Sequence, residues 1–269
     1  MNSIIQLINT YISSEQVITM HTVNHIQHEK VILITGASRG IGAFTAGLLA
    51  QQGHKIIINY ANNDQEAQNV LNNIQAMGGT VSLFKADISH SGEVTALFDY
   101  AIQTYGRLDI LINNAGIMKL AKIEQVDDES IDQILAINLK GSLYTMREAA
   151  KRLEKGGKII NLSSSVIGMK LEGYGIYTAS KAAIEALTAI LAKELRGKNI
   201  TVNAIAPGPT ATELFLEGKS AEVIASLTKA SPLERLGAVE DIAAVLDFAV
   251  NEASNWVNAQ VLRVNGGIV

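Results

Sequence analysis

Apolar residues in this chain fall into two alternating rhythms. From residue 31 onward, runs of four or five apolar residues alternate with longer segments whose apolar positions recur at helical spacing. That is the pattern of a parallel sheet wound with helices on both faces. The runs predict seven strands, at residues 31–34, 56–59, 81–85, 110–112, 158–162, 201–205 and 261–264. Gly78-Gly79 and Gly156-Gly157 stand just ahead of two of them as turn signals. No repeat, Pro-rich linker or low-complexity stretch breaks the rhythm, and only three prolines occur. Residues 30–269 therefore read as a single doubly wound α/β domain.

Residues 1–29 differ: they are polar and hold three of the five histidines, and they read as a tail. Initiation at Met20, eleven residues before the first strand, would also account for the extension. His21, His25 and His28 share helical spacing, but without a visible supporting shell they are assigned no metal.

Composition narrows the partners. At 269 residues, one α/β domain can bury about three quarters of its unfolded surface. Hydrophobic residues make up 48% and charged residues 18%, which suits buried strands and a homo-oligomer interface. A net charge of -4 with no Lys/Arg cluster gives no field for nucleic acid or anionic lipid. The absence of cysteine removes disulfides, thiolate nucleophiles and Cys-ligated metals. No apolar run approaches the roughly 20 residues of a membrane span, and the first segment lacks the layout of a secretory signal. A cytoplasmic protein is expected.

The first strand runs into Thr35-Gly36-Ala37-Ser38-Arg39-Gly40-Ile41-Gly42, followed by an Ala-rich apolar helix. A glycine turn between strand and helix lets backbone N–H groups and the helix N-terminus face a pyrophosphate. The spacing is G-x-x-x-G-x-G rather than the general dinucleotide fingerprint, so the strand-turn-helix context carries the assignment. At the end of the second strand an acid would hold a ribose 2′-hydroxyl and repel a 2′-phosphate. Here stands Asn59-Tyr60-Ala61-Asn62 with no acid, while Arg39 is placed to meet a phosphate. NADP, entering as NADPH, is the expected cofactor. Asp87 ends the third strand, where it faces the adenine or caps the next helix.

Tyr177-Thr178-Ala179-Ser180-Lys181 begins a helix and sets Tyr177 and Lys181 on one face. A phenol ionises near pH 10, so it serves acid–base chemistry near neutrality only if a cation such as Lys181 lowers its pKa. Thirteen residues earlier Ser164 ends the fifth strand, at the edge where parallel sheets place ligands. Ser163 and Ser165 compete with it for the cleft. Asn113-Asn114-Ala115-Gly116 follows the fourth strand, and Asn138 is an amide in an otherwise apolar helix, where it needs partners.

Taken together, these residues resemble the classical short-chain dehydrogenase/reductases, in particular members like 3-oxoacyl-[acyl-carrier-protein] reductase. The likeness covers residues 30–267, with the glycine turn, Asn113 to Gly116, Asn138, Ser164, Tyr177, Lys181 and Pro207-Gly208 in the family's order. It implies a Rossmann-type fold, α/β, with a seven-stranded parallel sheet and helices on both faces. It further implies that Tyr177 exchanges the substrate proton and Ser164 holds the carbonyl oxygen. Lys181 would lower the Tyr177 pKa and bind the nicotinamide ribose, with Asn138 keeping a water of the proton relay. Gly36, Ser38, Arg39, Gly40, Ile41, Gly42, Asn59, Tyr60, Asp87, Asn114, Ala115 and Gly116 would surround the cofactor. Pro207, Gly208, Thr210 and Thr212 would meet its nicotinamide end. Residues 213–232, with Leu214, Phe215, Leu216, Val223, Ile224 and Leu227, are either a substrate lid or an amphipathic helix packed on the core. Asn258 stands where the family commonly has glycine.

Ala179, Ala182, Ala183 and Ala186 form a small-residue face on the catalytic helix that suits packing between subunits of a homotetramer. Asp127, Asp128 and Glu129 read as capping at a helix start. The expected substrate is a small-molecule carbonyl compound. The same residues would serve an alcohol or sugar dehydrogenase working oxidatively, whereas a non-catalytic regulatory protein would have no use for an intact Tyr177/Lys181 pair.

Overall fold

A computed structural model describes residues 28–269. The tail expected for residues 1–29, with Met20, His21 and His25, falls almost wholly outside the described residues. Seven parallel strands form one sheet in the order β3-β2-β1-β4-β5-β6-β7. They are β1 (Val31–Ile34), β2 (Lys55–Tyr60), β3 (Thr80–Lys85), β4 (Ile110–Asn113), β5 (Lys158–Leu162), β6 (Thr201–Pro207) and β7 (Val261–Val264). All seven expected strands are present, several longer by one or two residues.

Helices cover both faces because the central strands β1, β4 and β5 are buried on both. One set of alternating side chains, Val31, Leu33, Ile57, Leu111, Ile159 and Val202, packs against α3 (Ser91–Tyr105), α5 (Ser142–Arg152) and α7 (Gly175–Glu194). The other set, Ile32, Ile34, Ile56, Ile58, Ile112 and Ile160, packs against α1 (Gly40–Gln51), α2 (Asp64–Ala76) and α10 (Val239–Val250). The intervening elements are α4 (Asp128–Ile134), α6 (Val166–Met169), α8 (Glu213–Leu216) and α9 (Ala221–Ala230). Helix α4 starts on Asp127, whose carboxylate accepts the Ser130 N–H, as its sequence suggests.

The chain reverses direction across the sheet between β1 and β4, opening the crevice where doubly wound sheets bind ligands. Buried polar side chains lock the sheet beneath it. Asn113 and its register partner Asn161 are joined at 2.8 Å, Thr145 donates to Asn113, and Asn161 donates to Thr188. With all four buried, these bonds tie β4 and β5 to α5 and α7.

Candidate active site

The glycine turn is shaped by contacts a side chain would destroy. Gly36 has φ +60°, and a Cβ there would lie 2.7 Å from Ala115 Cα. Asn114 binds the turn from across the crevice, its amide donating to the carbonyls of Thr35 and Gly36 at 2.9 Å. Thr35 Oγ1 accepts in return from the N–H groups of Asn114 and Ala115. Helix α1 then opens with no side-chain cap and no acid in its first turn. Its N-terminus opens on a broad, solvent-open groove lined by Gly36, Ser38, Arg39, Gly40 and Ile41. An open helix N-terminus behind glycines fits a dinucleotide pyrophosphate.

The groove continues along the end of β2 through Asn59, Tyr60, Ala61, Asn62 and Asn63, and past Asp87, Asn114, Ala115 and Gly116. Of the expected contacts, Asn59 and Asp87 line this groove and also bond within the fold, whereas Gly42 stands apart. Gly42 does not line the groove: it is buried, and a Cβ there would strike Asn114 Nδ2 at 2.5 Å, so its part is close packing of α1. Asn59 spends its amide inside the fold, donating to the carbonyl of Ala86 and accepting the Gly36 N–H, so it shapes the turn. Asp87 does not cap α3, whose N-cap is His90; its carboxylate accepts the Ser89 N–H at the groove rim. Asn63, not singled out in the sequence, caps α2 through the Glu66 N–H. Its Asn-x-x-Glu spacing was the available signal.

A second cavity, of about 870 Å³, adjoins the groove, with Ile41, Asn114, Gly116, Thr212 and Leu214 lining both. Ser164, Tyr177 and Lys181 line it together. The three serines part company here. Ser163 donates to Glu185, Ser165 donates to the Ala206 carbonyl, and Ser164 alone is hydrogen-bonded to Tyr177. Helix α7 begins at Gly175, two residues before the expected start, so Tyr177 already sits within its first turn.

The electrostatics depart from expectation. Burial pushes the Tyr177 phenol up to about 12, only partly offset by the Ser164 hydrogen bond. The Lys181 ammonium instead donates to the Leu162 carbonyl at 2.7 Å, lies 5.8 Å from the Tyr177 ring centre, and is lowered to about 8 by burial. In this geometry burial is the largest influence on the phenol, and the Leu162 carbonyl holds the ammonium.

Asn138 lies behind the cleft in a π-helical turn, Leu135–Gly141. Its amide is bonded to both main-chain groups of Ile117 and donates to Ser180 Oγ. A Cβ on Gly116 would come within 3.3 Å of Asn138 Oδ1 and 3.5 Å of Lys181 Nζ, so amide and ammonium converge behind that glycine. Pro207, Gly208, Thr210 and Thr212 line the cavity on the β6 side. The Thr210 hydroxyl is turned to the Gly208 carbonyl, and Thr212 caps α8 through the Phe215 N–H.

Met118, Val166, Met169, Leu171 and Tyr174 form apolar walls that the sequence did not mark. Over them stand α8 and α9, which contain no buried residue, with Leu214, Phe215 and Leu227 facing the cavity. Residues 213–232 are thus a cover and not a core helix. Lys219 lies over the rings of Phe215 and Tyr174, at 4.7 and 6.0 Å from their centres, and joins the cover to the start of α7.

Away from the site, the strained position near β7 is Ala259, at φ +59°, and not Asn258. Asn258 accepts the Val202 N–H through its side chain. Among the described residues no helix is long and apolar enough to cross a membrane, and no cluster of His, Asp or Glu could hold a metal.

Comparison with known proteins agrees with this geometry. The family described as Enoyl-(Acyl carrier protein) reductase matches residues 36–269. A short-chain type dehydrogenase/reductase of Picea abies is 45% identical over 250 residues, covering 89% of this chain and 92% of the relative. An NADPH-dependent aldehyde reductase, chloroplastic, of Arabidopsis thaliana is 39% identical, covering 88% of this chain and 93% of the relative. A Burkholderia cenocepacia protein solved with NADP bound superposes with a TM-score of 0.86 at 30% identity, covering 90% of this chain and 94% of that one.

Proposed function

The chain belongs to the short-chain dehydrogenase/reductase family, oxidoreductases that interconvert carbonyl and alcohol groups, and from that premise we propose an NADPH-dependent reductase of apolar aldehydes and ketones. One observation carries the reading: Tyr177, hydrogen-bonded to Ser164, faces an apolar cavity that shares five lining residues with the groove at the glycine turn. The phosphorylated cofactor is supported by Arg39 in that turn, by the lack of an acid at Asn59 to Asn62, and by the NADPH and NADP of the relatives.

Bound in the groove, the cofactor supplies a hydride to the carbonyl carbon. The chain's own part is to receive the charge that develops on the oxygen. Ser164 and Tyr177 donate to that oxygen, and their bonds strengthen as it becomes an alkoxide. A phenol held near 12 keeps its proton at neutral pH and is an acid for reduction. After the proton leaves, the protonated Lys181 ammonium is the cation in the cleft that stabilises the phenolate. Asn138 fixes Ile117 and the wall behind Gly116.

The cavity walls favour reduction of an apolar carbonyl over oxidation of a sugar. A sugar would turn hydroxyls toward Met118, Val166, Met169 and Leu171 with no partners, at about 1–3 kcal/mol each. The test is NADPH consumption against a carbonyl panel. Turnover of aromatic and branched aldehydes above that of aldoses supports the reading, and preference for a sugar overturns it.

Two further readings complete the proposal. Ala179, Ala182, Ala186 and Ile190 are exposed along α7, supporting a homotetramer that light scattering would detect. A cytoplasmic setting is supported by a cysteine-free sequence that needs no oxidising compartment, and fractionation tests it. Residues 1–29 are read as dispensable for catalysis, so removing residues 1–19 should leave turnover intact.

A further inference from the structure

The cover over the cavity and the glycine turn meet at an ion pair. Arg39 Nη1 lies 3.1 Å from Glu213 Oε2, across 174 residues of sequence, and both residues line the cofactor groove. The approach is set by backbone. A Cβ on Gly40 would come within 3.8 Å of Thr212 Cγ2, and Thr212 caps α8, making Glu213 the first residue of that helix. The two side chains are 56% and 72% exposed, so water and salt screen the pair and leave it exchangeable. Among the described residues, Arg39 has no other ion pair. Glu66 and Asp87 line the same groove without reaching it.

We propose that Glu213 is a specificity-determining residue for the cofactor: its carboxylate competes with an adenosine 2′-phosphate for the Arg39 guanidinium. The inference rests on the NADPH reading and deepens it. A phosphate offers the guanidinium two charge-assisted bonds and displaces the exposed carboxylate. Breaking the Glu213 pair is a cost borne only by the phosphorylated dinucleotide. NADH, lacking the 2′-phosphate, leaves the pair in place. Glu213 thus narrows the preference that Arg39 creates.

Fluorescence titration with NADPH and with NADH tests this on the full chain, on Glu213→Gln, on Arg39→Gln and on the double variant. Glu213→Gln is expected to tighten NADPH about two- to fivefold and leave NADH unchanged. The gain should vanish in the Arg39→Gln background, a coupling that a merely structural role for Glu213 would not produce. Equal shifts for both cofactors, weaker NADPH binding, or a gain that persists without Arg39 overturn the proposal. If the unsubstituted chain shows no preference for NADPH and Arg39→Gln is silent, the cofactor assignment itself falls, and the competition with it.

Discussion

Two glycines five residues apart on α1 should respond in opposite directions to the same substitution. At Gly42 a Cβ would lie 2.5 Å from Asn114 Nδ2, 2.9 Å from Ala37 Cα and 3.0 Å from the Gly36 carbonyl oxygen. The amide it displaces makes two hydrogen bonds to the glycine turn. Losing both costs about 2 kcal/mol, and backbone crowding adds about 1–3 kcal/mol. The gain in helix propensity from Gly to Ala returns about 1 kcal/mol. Gly42→Ala should therefore destabilise the fold by about 2–4 kcal/mol, lowering Tm by roughly 5–15 °C for a domain of this size. Because the displaced amide holds the turn, NADPH affinity should fall about tenfold as well. At Gly47 nothing lies within 4 Å of the added methyl. Gly47→Ala keeps only the propensity gain and should raise Tm by about 2–4 °C with cofactor binding unchanged. Thermal melts and NADPH titrations of the two variants decide it. A Gly42→Ala variant as stable as the parent, with full affinity, would refute the close-packing role given to this glycine.

Three other outcomes follow from the site and its surroundings. Ala259→Gly relieves the left-handed backbone at φ +59° and should stabilise by about 0.5–1 kcal/mol, read as a rise in Tm of roughly 1–4 °C; a fall would show that methyl packing outweighs strain. Lys181, lowered to about 8, carries its charge below that pH and loses it above, so reductive kcat/KM should decline with rising pH through about 8. A profile flat to pH 10 would remove the ammonium from catalysis. Lys219→Met keeps the aliphatic stem but removes the cation over Phe215 and Tyr174. It should raise KM for an apolar aldehyde about two- to fivefold while NADPH affinity holds, and unchanged KM would deny that this contact closes the cover.

Much of the architecture was legible because its causes are local. Four-residue runs such as Val31–Ile34 have no polar face, which only a strand covered on both sides tolerates. Gly78 and Gly156, ahead of β3 and β5, both adopt positive φ, as turn glycines do. The site was less legible where its geometry is set by distant residues. Nothing in Ser163-Ser164-Ser165 tells which hydroxyl faces the cleft, because Glu185 and the Ala206 carbonyl claim the outer two. One-turn spacing puts Tyr177 and Lys181 on one face, yet the Leu162 carbonyl decides where the ammonium rests. The tie between Arg39 and Glu213 has no local signature, since the fold alone brings those segments together. Asn258 drew notice by type, while the strain fell on its neighbour Ala259, a matter of backbone and not of side chain.

The central claim is that the Tyr177 phenol delivers the substrate proton, and single-turnover reduction of an apolar aldehyde by Tyr177→Phe measures it most directly. Losing this proton donor should slow NADPH oxidation by about 10²–10⁴-fold, while NADPH Kd stays within about twofold of the parent. A Tyr177→Phe enzyme that oxidises NADPH at the parent rate would contradict the account.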